Sequence, residues 1–194
     1  AEMGMPTPSR PMLFMKPDSA VIGPGERVVL PHEASVTHYE AELAVVIGRA
    51  ARRVPQDRAR EVILGYTCAN DISERVIQKE EMDQGCLLVG KGYDTFCPLG
   101  PVIAIDLDPG ALRLEARLNG ETRQSTSTSD LLFSVDALVS YLSSAITLRP
   151  GDVIITGTPS GVGEIAPGDV MEIELEGVGI LANPVVAEAD VAND

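Results

Sequence analysis

The chain has 194 residues, of which 44% are hydrophobic, and it carries a formal net charge of −14. This length is enough for one domain with a sizeable core, and no apolar run is long enough to span a bilayer. Because nucleic acids and anionic membranes attract basic surfaces, the acidic balance argues against both as partners. The three cysteines show no Cys-x-x-Cys spacing, which favours reduced thiols in a cytoplasmic protein.

The elements predicted along the chain are mainly short strands. In chain order they are a strand at residues 28–30, a strand at 38–48, a helix at 55–64, a helix capped by Ser73, a strand at 112–118, a helix at 131–146 and a weakly ordered tail at 185–194. Asn119 and Gly120 are typical of a two-residue hairpin turn after the strand at 112–118. Many short strands with few helices predict an α+β fold that is dominated by β-structure.

Two glutamates interrupt the apolar strand at residues 38–48. Residues two apart on a strand share a face, so Glu40 and Glu42 should stand side by side, with Cα atoms roughly 7 Å apart. Carboxylates this close repel each other unless a cation lies between them, and hard divalent ions such as Mg²⁺ prefer oxygen ligands. The alternative is that both glutamates line the solvent-facing side of an edge strand.

A third carboxylate, Asp71, ends the next short apolar stretch along the chain and precedes a helical pattern. Functional groups are often presented at such strand ends, so Asp71 is a candidate third ligand for the same cation. The alternative is that Asp71 only helps to cap the following helix.

Five segments stand in a characteristic order along the chain. They are Glu-Ala-Glu-Leu-Ala-Val-Val-Ile-Gly from residue 40, Gly-Tyr-Thr-Cys-Ala-Asn-Asp-Ile-Ser-Glu-Arg from 65, Gly-Lys-Gly-Tyr-Asp-Thr-Phe-Cys-Pro-Leu-Gly-Pro from 90, Leu-Asn-Gly-Glu-Thr-Arg-Gln from 118, and Thr-Gly-Thr-Pro-Ser-Gly-Val-Gly from 156. Together they resemble the fumarylacetoacetate hydrolase family. The resemblance implies a homodimer and the C-terminal fold of that family, a mixed β-sandwich roll, as one catalytic domain over residues 1–194.

The resemblance also implies a site. Glu40, Glu42 and Asp71 match family residues that hold a divalent metal, usually Mg²⁺ or Mn²⁺ and sometimes Ca²⁺. Lys91, between two glycines, matches a lysine that supports enolate charge at the substrate and metal. Gln78 and Thr158 match residues that bind the substrate. The plain alternatives for these last three residues are a surface lysine, a solvated helix residue and a structural turn.

Glu2 is the remaining catalytic candidate. Glu2-Met3 matches the end of a family segment, His-x-x-Glu-Met, which carries an acid–base pair and folds over the site as a lid. Residues 1–10 are therefore expected to be a lid remnant, and a leading segment that includes the matching His is expected to precede Ala1. Arg75 is expected to be structural at the helix start, and His38 to lie near the metal ligands or on the surface.

The leading functional hypothesis is a divalent-metal-dependent hydrolase that cleaves C–C bonds in β-diketo acids of the acylpyruvate type, through a metal-stabilised enolate. Its substrate is a small anionic keto acid, so the site must be locally cationic despite the net negative charge. Oxaloacetate decarboxylation and the isomerisation of a 2-hydroxymuconate-type diacid use the same enolate chemistry and stay open. A catalytically silent metal-binding scaffold is the alternative from another class.

Overall fold

A computed structural model describes residues 8–191, and its architecture is dominated by strands. The strands are β1 (Val21–Ile22), β2 (Val28–Leu30), β3 (Thr37–Tyr39), β4 (Ala41–Ile47), β5 (Ile63–Asn70), β6 (Ser73–Glu74), β7 (Cys97–Ala104), β8 (Arg113–Leu118), β9 (Glu121–Ser127), β10 (Val153–Ile155), β11 (Gly163–Glu164), β12 (Val170–Leu175) and β13 (Gly179–Ala187). This confirms the predicted β-rich α+β class.

Helices are few and short. The α-helices are α1 (Arg75–Asp83), α2 (Val89–Gly92), α3 (Val135–Ala145) and α4 (Glu188–Val191), and 3₁₀ turns cover Asp18–Ala20, Gln56–Val62 and Thr128–Asp130. Within residues 8–191, no helix has the length and apolar character needed to cross a membrane.

The strands form three sheets. One five-stranded sheet has the order β1-β7-β5-β4-β10, the other has the order β2-β13-β12-β8-β9, and a three-stranded sheet has the order β11-β3-β6. Most neighbours are antiparallel, whereas β1 with β7 and β2 with β13 are parallel. The small sheet matters for the site, because β3 leads directly into Glu40 and β6 follows Asp71 by one residue.

The core lies between the two five-stranded sheets. Leu43 and Val45 of β4 belong to the same buried cluster as Leu114 of β8, Ile173 of β12 and Leu181 of β13. Strand β12 alternates buried and more exposed residues, as expected where one face meets the core. Strand β4 is buried along its whole length, so it is a central strand and not the solvent-facing edge strand of the alternative interpretation.

Several predicted boundaries need correction. The helix expected after Ser73 begins at Arg75, because the Glu74 carboxylate accepts from the Ile77 N–H at 2.6 Å and acts as the N-cap. The helix expected at 55–64 is the 3₁₀ segment Gln56–Val62, and the helix expected at 131–146 is the shorter α3, which Ser134 caps. The tail expected at 185–194 was wrong over its described part, since Val185 is buried and pairs with Val28.

The hairpin prediction agrees with the structure. Strands β8 and β9 pair antiparallel on either side of Asn119 and Gly120. Both turn residues have a positive φ, at 53° and 79°, as a type I′ turn requires.

Candidate metal centre

Three carboxylates converge where β4 and β5 pair. Glu40 lies between β3 and β4, Glu42 is the second residue of β4, and Asp71 directly follows β5. The Asp71 N–H donates to the Glu40 carbonyl oxygen at 2.8 Å, which fixes the two residues side by side. One carboxylate oxygen from each of the three lies within 4.8 Å of the others, and the side chains are buried. The structure therefore brings the predicted triad together.

Lys91 lies at the centre of this acidic cluster. Its Nζ donates to Glu40 Oε2 at 2.7 Å and to Asp71 Oδ2 at 2.6 Å, and the residue is 3% exposed. The same ammonium lies 5.0 Å from the centroid of the Phe14 ring. Lys91 is thus not the surface lysine of the alternative interpretation.

Two further cations complete the cluster. Lys16 Nζ donates to Asp71 Oδ1 at 2.6 Å and to the Ile72 carbonyl oxygen at 3.1 Å. The Arg75 guanidinium pairs with Glu40 Oε1 at 2.7 Å. Arg75 does begin α1, but its side chain contacts a site carboxylate, which the sequence did not indicate. Three cationic side chains therefore match the three carboxylates of the triad in number, so the local charge is far less negative than the net charge of the chain suggests.

Burial and ion pairing act in opposite directions on the cluster. Burial alone would raise the pKa of Asp71, but Lys16 and Lys91 outweigh it and hold that pKa below its ordinary value. Burial alone would lower the pKa of Lys91, yet the Asp71 and Glu40 carboxylates outweigh it and raise that pKa. Asp71 and Lys91 are therefore both charged near neutral pH.

Glu42 differs from the other two carboxylates. Its Oε2 accepts from the Gly157 N–H at 2.5 Å, and none of the described lysines or arginines forms an ion pair with it. Burial, followed by the negative charges of Asp71 and Glu40, raises the pKa of Glu42 well above its ordinary value. Gly157 can present its N–H here because its φ of +96° is readily available only to glycine.

The donor set fits a hard divalent cation. All three groups offer carboxylate oxygens, the ligands that Mg²⁺ and Mn²⁺ prefer, and a dication would offset both the burial and the carboxylate repulsion that raise the pKa of Glu42. A second cluster, formed by His32, Glu33 and Glu188, is exposed to solvent, so its charges are screened without a bound cation.

The start of α2, the short helix that carries Lys91, is bound by a side chain of α1. The Glu81 carboxylate accepts from three successive backbone N–H groups, those of Leu88, Val89 and Gly90, at 3.1, 2.7 and 3.0 Å. Gly90 packs so tightly on α1 that an added Cβ would lie 2.5 Å from the Gln78 nitrogen. The glycine beside Lys91 is therefore required by close packing, and Glu81 is a supporting residue that the sequence did not indicate.

The remaining predicted site residues lie at different distances from the triad. The Gln78 Oε1 accepts from Arg75 Nη1 at 2.8 Å, so Gln78 is joined to Glu40 through Arg75. Thr158 follows Gly157, and its hydroxyl accepts from Gln124 Nε2 at 2.8 Å. The roles of Gln78 and Thr158 stay predictions. Glu2 lies outside the described residues.

Histidine and cysteine contribute little to the site. His38 on β3 is half-buried, and burial followed by the nearby Arg75 charge lowers the pKa of its ring. Burial raises the pKa of the Cys68 thiol to about 12 and that of Cys97 to about 11. Both buried thiols are therefore protonated at neutral pH.

Several solved structures that are similar to this chain are enzymes. The X-ray structure of 5-carboxymethyl-2-hydroxymuconate delta-isomerase from Mycobacterium smegmatis is 50% identical, with a TM-score of 0.91 over 96% of this chain and 73% of that chain. Fumarylpyruvate hydrolase from Pseudomonas aeruginosa, in complex with Mn²⁺ and pyruvate, is 33% identical, with a TM-score of 0.91 over 96% and 84%. The 2,4-didehydro-3-deoxy-L-rhamnonate hydrolase of Sphingomonas sp. is 43% identical over 189 residues, which are 92% of this chain and 66% of that protein.

These likenesses identify an enzyme related to hydrolases and isomerases. The family model described as fumarylacetoacetate (FAA) hydrolase C-terminal matches residues 1–186. The chain belongs to the fumarylacetoacetate hydrolase family, which confirms the predicted family, fold and enzyme class.

Proposed function

We propose that this protein is a divalent-metal-dependent hydrolase that cleaves a C–C bond in β-diketo acids of the acylpyruvate type. The observation that carries the proposal is the buried triad Glu40, Glu42 and Asp71 with the Lys91 ammonium between two of its members. The bound Mn²⁺ and pyruvate in the fumarylpyruvate hydrolase neighbour support both the metal and a pyruvate-like ligand.

The triad would hold one Mg²⁺ or Mn²⁺ ion through its carboxylate oxygens. When bound, that ion supplies Lewis acidity to the carbonyl oxygens of a 2,4-diketo acid, which favours negative charge on them. Glu40 and Asp71 each pair with two cationic side chains, whereas none of the described cations pairs with Glu42, so a bound ion would stabilise the charged form of Glu42 most.

The chain's own side chains would bind and stabilise the anion. The Lys91 ammonium is fixed by two carboxylates and stands ready to stabilise charge that develops on the pyruvate half of the substrate as the C–C bond breaks. Gln78 and Thr158 would hold the substrate by hydrogen bonds. We assign proton transfer to Glu2 on the family resemblance alone.

Isomerisation is the second candidate reaction. The solved delta-isomerase that is 50% identical to this chain acts on a hydroxymuconate. Isomerisation and C–C hydrolysis would both place negative charge on the carbonyl oxygens of the keto acid. Decarboxylation of oxaloacetate would also require stabilisation of the negative charge that develops on the pyruvate part of the molecule. The common element of all three is the triad with Lys91, so the choice rests on substrate assays.

A substrate panel tests the proposal. Purified protein is incubated with acetylpyruvate, oxaloacetate and a hydroxymuconate, with added Mn²⁺ or Mg²⁺ and with EDTA, while products are followed by NMR. The proposal expects pyruvate and a carboxylic acid from acetylpyruvate only when metal is present. Metal-independent cleavage, or turnover of the hydroxymuconate alone, would refute the hydrolase assignment. Light scattering of the same sample tests the proposed homodimer.

A further inference from the structure

A cleft opens beside the acidic cluster. It has a volume of 360 Å³, and Glu42 and Thr158 line it at the end that meets the triad. The rest of its wall is mainly apolar, with Leu13, Phe14, Leu132, Phe133, Ile155 and Pro159 among the lining residues. A volume of this size is within the usual range for a small-molecule site. The cleft is therefore continuous with the place where the reacting carbonyls would lie.

The charged residues among those described that line this cleft are all acidic. Among the described residues that line it there is no lysine, arginine or histidine, and the two charged residues are Glu42 and Asp130. The Asp130 carboxylate accepts from the Thr126 hydroxyl at 3.0 Å, near the mouth of the cleft. Lys16 and Lys91, the lysines of the acidic cluster, are paired with its carboxylates and do not line the cleft.

We propose that the cleft receives the acyl tail of the substrate and selects tails that are uncharged and largely apolar. This inference rests on the proposed function and narrows its substrate class. A tail ending in a carboxylate, as in a diacid, would lose its hydration in an apolar cleft and meet Asp130 without a compensating cation. An alkyl or aryl tail would instead exchange water for the Phe14 and Phe133 side chains.

The selectivity has a predictable size. Each buried methylene contributes roughly fourfold to binding, so kcat/KM should rise by about that factor for each of the first carbons added beyond acetylpyruvate. Replacing the terminal methyl of a longer tail by a carboxylate should lower kcat/KM by at least about tenfold.

A matched substrate series tests the inference on the metal-loaded protein. Acylpyruvates with straight alkyl tails of increasing length are compared with tails of equal length that end in a carboxylate. The Asp130→Lys variant places a cation at the mouth of the cleft, so it should raise the ratio of carboxylate-tail to methyl-tail kcat/KM by at least about tenfold. The Glu121→Lys variant makes the same charge change at the far end of β9, outside the cleft, and should leave that ratio unchanged.

The outcomes separate the inference from the proposed function. Turnover of acetylpyruvate with equal or greater activity on carboxylate tails would overturn the tail selectivity and leave the hydrolase assignment standing. Preference for alkyl tails that Asp130→Lys does not shift would remove the cleft as its cause. Absence of turnover for every acylpyruvate, with metal present, would overturn both.

Discussion

Replacing Lys91 by methionine should lower turnover far more than it weakens metal binding. The Lys91 ammonium is 3% exposed and bridges Glu40 and Asp71 at 2.7 and 2.6 Å. Losing a preorganised cation next to developing negative charge typically costs about 3 kcal/mol of barrier, which is about a hundredfold in kcat. Methionine is close in volume and leaves Glu40 Oε2 and Asp71 Oδ2 without their ammonium, so the affinity for Mn²⁺ should stay the same or increase.

Two measurements on the same preparation decide this prediction. Steady-state kinetics with saturating Mn²⁺ gives kcat, and calorimetry gives the Mn²⁺ affinity. The matched control is Lys79→Met, which removes an exposed lysine of α1. Near-normal turnover in Lys91→Met would show that Lys91 does not act on the reacting groups. A parallel loss of metal affinity and turnover would show that it acts only through the metal site.

Two further predictions concern stability and thiol reactivity. Burial alone would raise the pKa of Glu74, but hydrogen bonds from the Ile77, Val36 and Ser35 backbone outweigh it and lower that pKa. Glu74→Gln should therefore reduce the free energy of unfolding by about 1–3 kcal/mol at pH 7. This difference should shrink as the pH falls through the folded pKa, below 4.5, because the wild-type carboxylate is then protonated. Urea denaturation at several pH values checks this prediction, and a difference that is constant with pH would contradict it. Of the three cysteines only Cys86 is exposed. One thiol per native chain should therefore react rapidly with a disulfide reagent, and three should react after denaturation. Rapid reaction of all three thiols in the native protein would contradict the described burial.

The sequence was informative where a signal is local. The period of two predicted Glu40 and Glu42 on one face of a strand at 38–48, and the end of the following apolar stretch predicted Asp71 at a strand end. The continuous strand was wrong, because Glu40 lies in a one-residue break between β3 and β4, but Glu42 and Asp71 lie where they were expected. Both placements are short-range consequences of β-structure, and the structure shows the three carboxylates together.

The side chains that contact and support this cluster could not be predicted from such local patterns. Lys16 contacts Asp71 across 55 residues of sequence, and it comes from a segment without regular structure. No period or spacing connects two such positions. Glu81 supports Lys91 through backbone N–H groups, which leave no mark in the sequence of residues 88–90.

The errors in the predicted element boundaries arise because residues near them pair with strands that the local sequence does not indicate. Ser73 is a good N-cap by residue type, but it pairs with His38 in the small sheet, so the helix starts one residue later and Glu74 caps it. The tail at 185–194 looked weak because it lacks a strong pattern of its own. Its first part, residues 185–187, is ordered by pairing with β2.

Mn²⁺ binding by the Asp71→Ala variant tests the central claim most directly. The wild-type chain should bind one ion at the triad, and calorimetry should show binding more than about a hundredfold weaker in Asp71→Ala, since a direct ligand is lost. The isosteric Asp71→Asn variant checks that folding is not the cause, and Glu188→Ala, in the exposed cluster, should bind as the wild type does. Wild-type affinity in both Asp71 variants would contradict the assignment of Glu40, Glu42 and Asp71 as the metal centre.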